Sequence, residues 1–115
     1  METFEEKFRN RYQLSEADAS ALLSHMEEVR FKKKEVIVQE GTKNTNLYLI
    51  KEGIWREHYL KDGVDTSIWF ASKGEAAFSV WGYVDNSYSQ ISIEVMSDSI
   101  AYCLSLIHIS EPTRH

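Results

Sequence analysis

Ahead of position 104, His25, His58 and Cys103 are the residues whose types most readily hold a metal or attack a substrate, and their spacing gives none of them a partner. A small β-barrel metal enzyme of the cupin kind needs a His-x-His pair with a carboxylate and a third histidine. Here one histidine lies in a helical pattern and the other stands alone in a strand pattern. An iron–sulfur sensor needs about four thiolates, and the chain has one cysteine. A single cysteine also excludes an internal disulfide and suggests a reducing compartment. On a strand it is ordinarily a small apolar residue. The chain has no G-x-S-x-G, H-E-x-x-H or P-loop motif, and no carboxylate pair spaced for acid–base work. These residues predict a protein that binds and is not an enzyme.

Charge narrows what it binds. The 115 residues carry a net charge of −5 with a pI near 5.3, whereas a domain that grips nucleic acid shows a basic face to the phosphates. The one basic run, Lys32-Lys33-Lys34, is followed at once by Glu35 and reads as a solvated loop. At 43% hydrophobic and 12% aromatic residues, the chain can pack a core. No apolar run reaches the roughly 20 residues of a membrane span, and the acidic start is unlike a signal peptide. The expected location is the cytoplasm, with no membrane partner.

The elements that position these residues change period once. Thr3 and Glu6 have capping-box spacing, followed by Phe4, Phe8 and Tyr12 on one helical face. Ser15 and Asp18 open a second stripe of Ala19, Leu22, Leu23 and Met26. From Val29 the period becomes two, in strand-like segments at 29–32, 35–39, 46–50, 54–60, 64–70, 91–96 and 99–103. Gly41, Gly53, Gly63 and Gly74 punctuate them at the spacing of an all-β sandwich or barrel. Lys61-Asp62-Gly63 is a hairpin turn. The stretch AAFSVWGY at 76–83 breaks the alternation and is expected to form a short helical turn. Trp55, Tyr59, Trp69 and Phe70 are expected to fill the barrel interior or its mouth. There is one domain, helical over 3–28 and β over 29–103.

This order resembles the cyclic-nucleotide-binding β-roll at the N-terminus of Crp/Fnr-type transcription regulators. The resemblance runs over positions 5 to 103. Phe31-Lys32-Lys33-Lys34-Glu35-Val36-Ile37 is similar to the family's opening strand pair, and Gln39-Glu40-Gly41 to its E-G turn. Leu47-Tyr48-Leu49-Ile50-Lys51-Glu52-Gly53 looks like its "l-y-x-I-x-x-G" signature. Tyr59 to Gly63 match its long hairpin, Lys73-Gly74-Glu75 its glycine–acid turn, and Glu94 to Ser99 its late strand pair. The implied fold is mainly β with N-terminal helices, an antiparallel double-stranded β-helix of the jelly-roll type.

The resemblance also implies a phosphate-binding cassette, here Gly74 to Gln90, with a glutamate for the ribose and an arginine for the cyclic phosphate. The candidate ligand-binding residues are Gly74, Glu75, Ala76, Ala77, Phe78, Ser79, Val80, Trp81, Ser89 and Gln90. The glutamate's place falls near Ser79 and the arginine's near Ser89. No Lys or Arg occurs between Glu75 and Cys103. Cyclic AMP is therefore a poor fit, and the expected effector is less charged or absent. The implied function is effector sensing, with a homodimer formed by a following helix and DNA held by a helix-turn-helix domain outside this chain. A ligand-free β-roll interaction module is the alternative, with a cupin-type barrel enzyme behind it.

Residues 104 to 114, LSLIHISEPTR, resemble the forward translation of a transposase-type sequencing adaptor, codon for residue. Residues 104–115 are therefore expected to be a non-native tail, and the natural sequence to be truncated near 103. The alternation continues through Tyr102, Leu104 and Leu106, which predicts an extended segment from Leu104 to about Ile109 and a loose end after Pro112. A roll lacking its dimer helix is expected to self-associate.

Overall fold

A computed structural model of the chain describes residues 2–79, 82 and 87–105. Two helices, α1 (Phe4–Tyr12) and α2 (Glu16–Leu23), precede eight strands: β1 (Glu27–Phe31), β2 (Val36–Val38), β3 (Asn46–Glu52), β4 (Trp55–Lys61), β5 (Val64–Ala71), β6 (Ala76–Phe78), β7 (Ser92–Val95) and β8 (Ser99–Ser105). The strands form two four-stranded antiparallel sheets, in the orders β1-β8-β3-β6 and β2-β7-β4-β5. This is the expected β-roll.

The helix starts are built as their sequences dictate. The Glu6 amide donates to Thr3 Oγ1 at 3.2 Å and the Thr3 amide to Glu6 Oε1 at 2.9 Å, closing a capping box. The Asp18 amide donates to Ser15 Oγ at 3.0 Å. Phe4, Phe8 and Tyr12 stack along α1, and Phe4 meets Tyr102 of β8 with ring centroids 5.6 Å apart. The helices thus cover the outer face of the first sheet, where Phe8, Ala19 and Leu49 are buried. A wholly apolar cavity of about 290 Å³ remains there, lined by residues including Phe8, Leu22, Met26, Leu49 and Phe78. The main core lies between the sheets. In it Phe31, Tyr48 and Trp55 meet edge-on, with centroids 5.6 to 6.0 Å apart.

Three expectations need correction. The helical region stops at Leu23, not Glu28, because Glu27 and Glu28 pair with Cys103 and Tyr102 in the β1–β8 ladder. Ala76, Ala77 and Phe78 form a strand instead of opening a helical turn. They complete the first sheet by pairing with Leu49, Tyr48 and Leu47. Of the two described residues that follow in this stretch, Ser79 is irregular and Gly82 is helical. Phe70 does not fill the interior: it is 55% exposed and opposes the outward-facing Arg56. Trp69, opposite Glu57, is 47% exposed.

The hairpin turn follows its prediction. Lys61 pairs with Val64, and Asp62 and Gly63 both have positive φ, 53° and 80°. That is the two-residue turn whose twist matches the flanking strands. At the other end of the chain, β8 extends through Leu104 and Ser105, opposite Leu47 and Asn46. The rest of the predicted extended segment, and the loose end after Pro112, lie outside the described residues.

Candidate functional site

The cassette begins where β5 turns into β6. Gly74 is buried beside α1 with φ of 85°, and its amide donates to the Ile50 carbonyl at 2.8 Å. The Glu75 carboxylate accepts from the Ser72 amide at 2.7 Å and lies 3.3 Å from the Arg11 guanidinium. Glu75 is thereby committed to the turn and to α1. The Ala76 amide donates to Tyr12 Oη at 2.8 Å, a second tie between cassette and helix. Ala77 faces the core and is buried, while Phe78 faces the helices.

Ser79 and Ser89, near which the resemblance placed the glutamate and the arginine, are both buried, at 0% and 2% exposure. Each hydroxyl serves its own backbone. Ser79 Oγ accepts from the Gly82 amide at 3.4 Å. Ser89 Oγ donates to the Ile91 carbonyl at 2.7 Å and accepts from the Ile91 amide at 3.2 Å. Gln90 is exposed, and Val80 and Trp81 lie outside the described residues.

The Gln39-Glu40-Gly41 turn and the residues that follow it clamp the cassette. The Gly41 amide donates to the Ser89 carbonyl at 2.8 Å, and the Ser89 amide to the Thr42 carbonyl at 2.7 Å. Gly82 packs so closely on the Asn44 backbone carbonyl that a Cβ there has no room. Asn44 is itself held, accepting from the Asn46 amide at 2.8 Å and donating to the Ile37 carbonyl at 3.2 Å. Lys43 of this loop lies 5.4 Å from the Tyr88 ring centroid, but both side chains are exposed, so this cation stands on the outside of the roll.

The wall opposite is β4, whose sides are sharply divided. Arg56 points outward. Its guanidinium donates to both carboxylate oxygens of Asp65 at 3.2 and 3.0 Å, to Ser67 Oγ at 2.8 Å and to Glu94 Oε1 at 3.1 Å. These bonds raise the Arg56 pKa, and the same guanidinium holds the Asp65 carboxyl below its usual range. His58 joins this outer cluster, with Nδ1 at 3.1 Å from Asp65 and Nε2 at 3.7 Å from Glu94. Trp55 and Glu57 occupy the inner side. Burial pushes the Glu57 carboxyl above the ordinary carboxylate range. Trp55 is fully buried and its indole Nε1 has no acceptor among the described residues. Such an orphaned donor costs about 1–3 kcal/mol. The signal for this wall was present in the sequence as Trp55, Glu57 and Tyr59 at period two.

Half-buried Cys103 packs against the core from β8, where burial and the neighbouring Glu27 carboxylate raise its thiol pKa. That opposes a reactive thiolate. Among the described residues no group of three or more His, Cys, Asp or Glu is placed to hold a metal ion. No described helix is long and apolar enough to cross a membrane.

A two-sheet roll with helices packed on one face and a clamped cassette between its sixth and seventh strands defines a class of ligand-sensing domain. The sequence matches the family described as "Cyclic nucleotide-binding domain" over residues 28–111, and the chain belongs to that family. Solved structures agree on the fold. The regulatory domain of Toxoplasma gondii PKA with cAMP is similar at a TM-score of 0.75 and 19% identity, over 92% of this chain and 42% of that one. The Thermus thermophilus catabolite activator protein is similar at 0.75 and 18%, over 90% of this chain and 50% of that one. A third relative is the regulatory subunit of a cAMP-independent protein kinase A from Trypanosoma brucei. It was solved with cAMP in the A site as a variant with glutamate changed to alanine, threonine to arginine and valine to alanine. Its TM-score is 0.78 at 17% identity, over 94% of this chain and 40% of that one. The chain therefore spans half or less of the length of these three. No curated protein sequence matches it.

Proposed function

We propose that the chain is the effector-sensing domain of a Crp/Fnr-like transcription regulator, and that cyclic AMP is not its tight effector. Family membership and the likeness in fold to the Thermus catabolite activator protein support the first half. One observation carries the second half: buried serines stand at 79 and 89, near which the resemblance calls for a glutamate and an arginine. A charge-assisted hydrogen bond contributes about 1.5–3 kcal/mol, roughly ten- to a hundredfold in affinity. From Ala76 to Ser105 the sequence contains no Lys, Arg or His to supply one.

In this reading the domain does no chemistry. An effector in the roll favours one arrangement of a following helix, which pairs two subunits and orients two DNA-binding domains supplied beyond this domain. We place the protein in the cytoplasm and read residues 104–115 as an adaptor-derived tail. The Phe31–Tyr48–Trp55 cluster favours a second reading, a roll filled by its own aromatics and used as an interaction module. Titration calorimetry with cyclic AMP tests the effector claim. Binding weaker than about micromolar is expected, and micromolar or tighter binding overturns it.

A further inference from the structure

The alternation of β4 gives the inside of the roll a charge opposite to the one a phosphate needs. Glu57 lies directly across from Ile93 on β7 and from Trp69 on β5. Directly opposed residues of an antiparallel pair share a face, and Ile93 is fully buried in the core between the sheets. Glu57 therefore belongs to the inner face. Its same-face neighbours along β4 are Trp55 and Tyr59, both part of the core packing. Arg56 and His58, which flank it in sequence, are on the outer face, Arg56 paired with Asp65 and Glu94 and His58 beside Asp65.

Two inner groups are left without partners. Glu57 makes no hydrogen bond or ion pair among the described residues, and Trp55 Nε1 is a buried donor with no acceptor there. The cassette cannot neutralise Glu57 either, because residues 76–90 include no Lys, Arg or His and do include Asp85. What remains is a half-buried carboxylate on a residue with Trp69 directly opposite and Tyr59 two places along its strand, and Trp55 with its N–H donor two places the other way. Carboxylate and aromatic rings together make the surroundings that hold an ammonium group. Positions two apart on a strand are roughly 7 Å apart, within the reach of one small molecule.

We propose that the interior of the roll takes a small organic cation, an amine or ammonium compound that also carries a neutral acceptor oxygen. Its nitrogen sits against the Glu57 carboxylate between the rings of Trp69 and Tyr59, and its oxygen accepts from Trp55 Nε1. This deepens the effector-sensing reading and rests on it.

Choline supplies both groups and serves as the probe, with 3,3-dimethyl-1-butanol as its uncharged isostere and cyclic AMP as the anionic comparison. Each is titrated into the whole chain while the Trp55 indole N–H resonance, assigned with Trp55→Phe, is followed by NMR. The expected result is saturable choline binding that shifts this resonance, with the isostere at least about tenfold weaker. Glu57→Gln is expected to lose about the same factor. Equal binding of choline and the isostere overturns the proposal on the wild-type protein alone, whatever the variant does. Cyclic AMP binding more tightly than choline overturns it too but leaves the sensing reading standing. Binding of none of the three overturns it and favours the ligand-free module.

Discussion

Glu57 has its own thermodynamic signature. Its carboxyl is raised in the folded protein by burial, and no donor compensates among the described residues. A raised folded pKa means the proton is held more tightly folded than unfolded. The resulting stability is fully present below the unfolded value of about 4.3 and is lost as pH rises through the folded value. At neutral pH the ionised carboxylate is thus a net cost. Glu57→Gln should raise the melting temperature at pH 7 and have little effect near pH 3, below the unfolded value, where both side chains are neutral. Thermal unfolding at the two pH values checks this, and an equal effect at both would remove the burial argument. Asp65 has the opposite sign: Arg56 depresses its carboxyl, so its contribution is present above the unfolded value and lost as pH falls through the folded one. Both groups belong to one hairpin, and only the face differs.

At the scale of elements, the cassette is held by the Gln39–Asn44 loop and by α1 through hydrogen bonds on both sides. Gly82 is the tightest point, since the atoms opposing a Cβ there are the Asn44 backbone and cannot swing aside. Gly82→Ala should therefore destabilise the fold by about 1–3 kcal/mol, read as a lower urea midpoint. Gly63→Asn should cost far less: nothing lies within 4 Å of a Cβ there, and asparagine tolerates its positive φ. Similar losses for the two variants would mean that the loop gives way. The Arg11–Glu75 pair and the Tyr12–Ala76 bond make α1 part of the same unit, so movement at the cassette reaches the helices.

For the whole molecule, the second sheet ends in β5, an edge strand that exposes Val64 (63%), Ile68 (50%), Trp69 (47%) and Phe70 (55%). Leu60 on the same hairpin is 60% exposed. An apolar edge with open N–H and C=O groups pairs readily with another chain. The isolated protein is expected to self-associate in a concentration-dependent way, and Ile68→Lys to reduce this. Light scattering across a dilution series checks both, and a stable monomer at all concentrations would count against the reading of β5 as a sticky edge.

Local sequence chemistry determined the helix starts, the hairpin and the absence of a cassette cation. A capping box needs only Thr3 and Glu6 three residues apart, and a two-residue turn only Asp62-Gly63 between strands. The missing cation was equally legible, because residues 76–105 contain no Lys, Arg or His. Tertiary structure decided the rest. Ala76–Phe78 became a strand because β3 offers Leu47–Leu49 an open ladder, which no property of AAF reveals. Glu27 and Glu28 left the helical region because β8 pairs with them. Which aromatics are inside was also decided there. Period two says that Trp55, Glu57 and Tyr59 share a face, but not which face is covered. The β4–β5 register shifts between Glu57 and His58, leaving Ile68 unpaired. Trp69 thus stays opposite Glu57, and Phe70 falls on the side of Arg56. Which residues share a face is local to one strand; which face is buried belongs to the sheet that covers it.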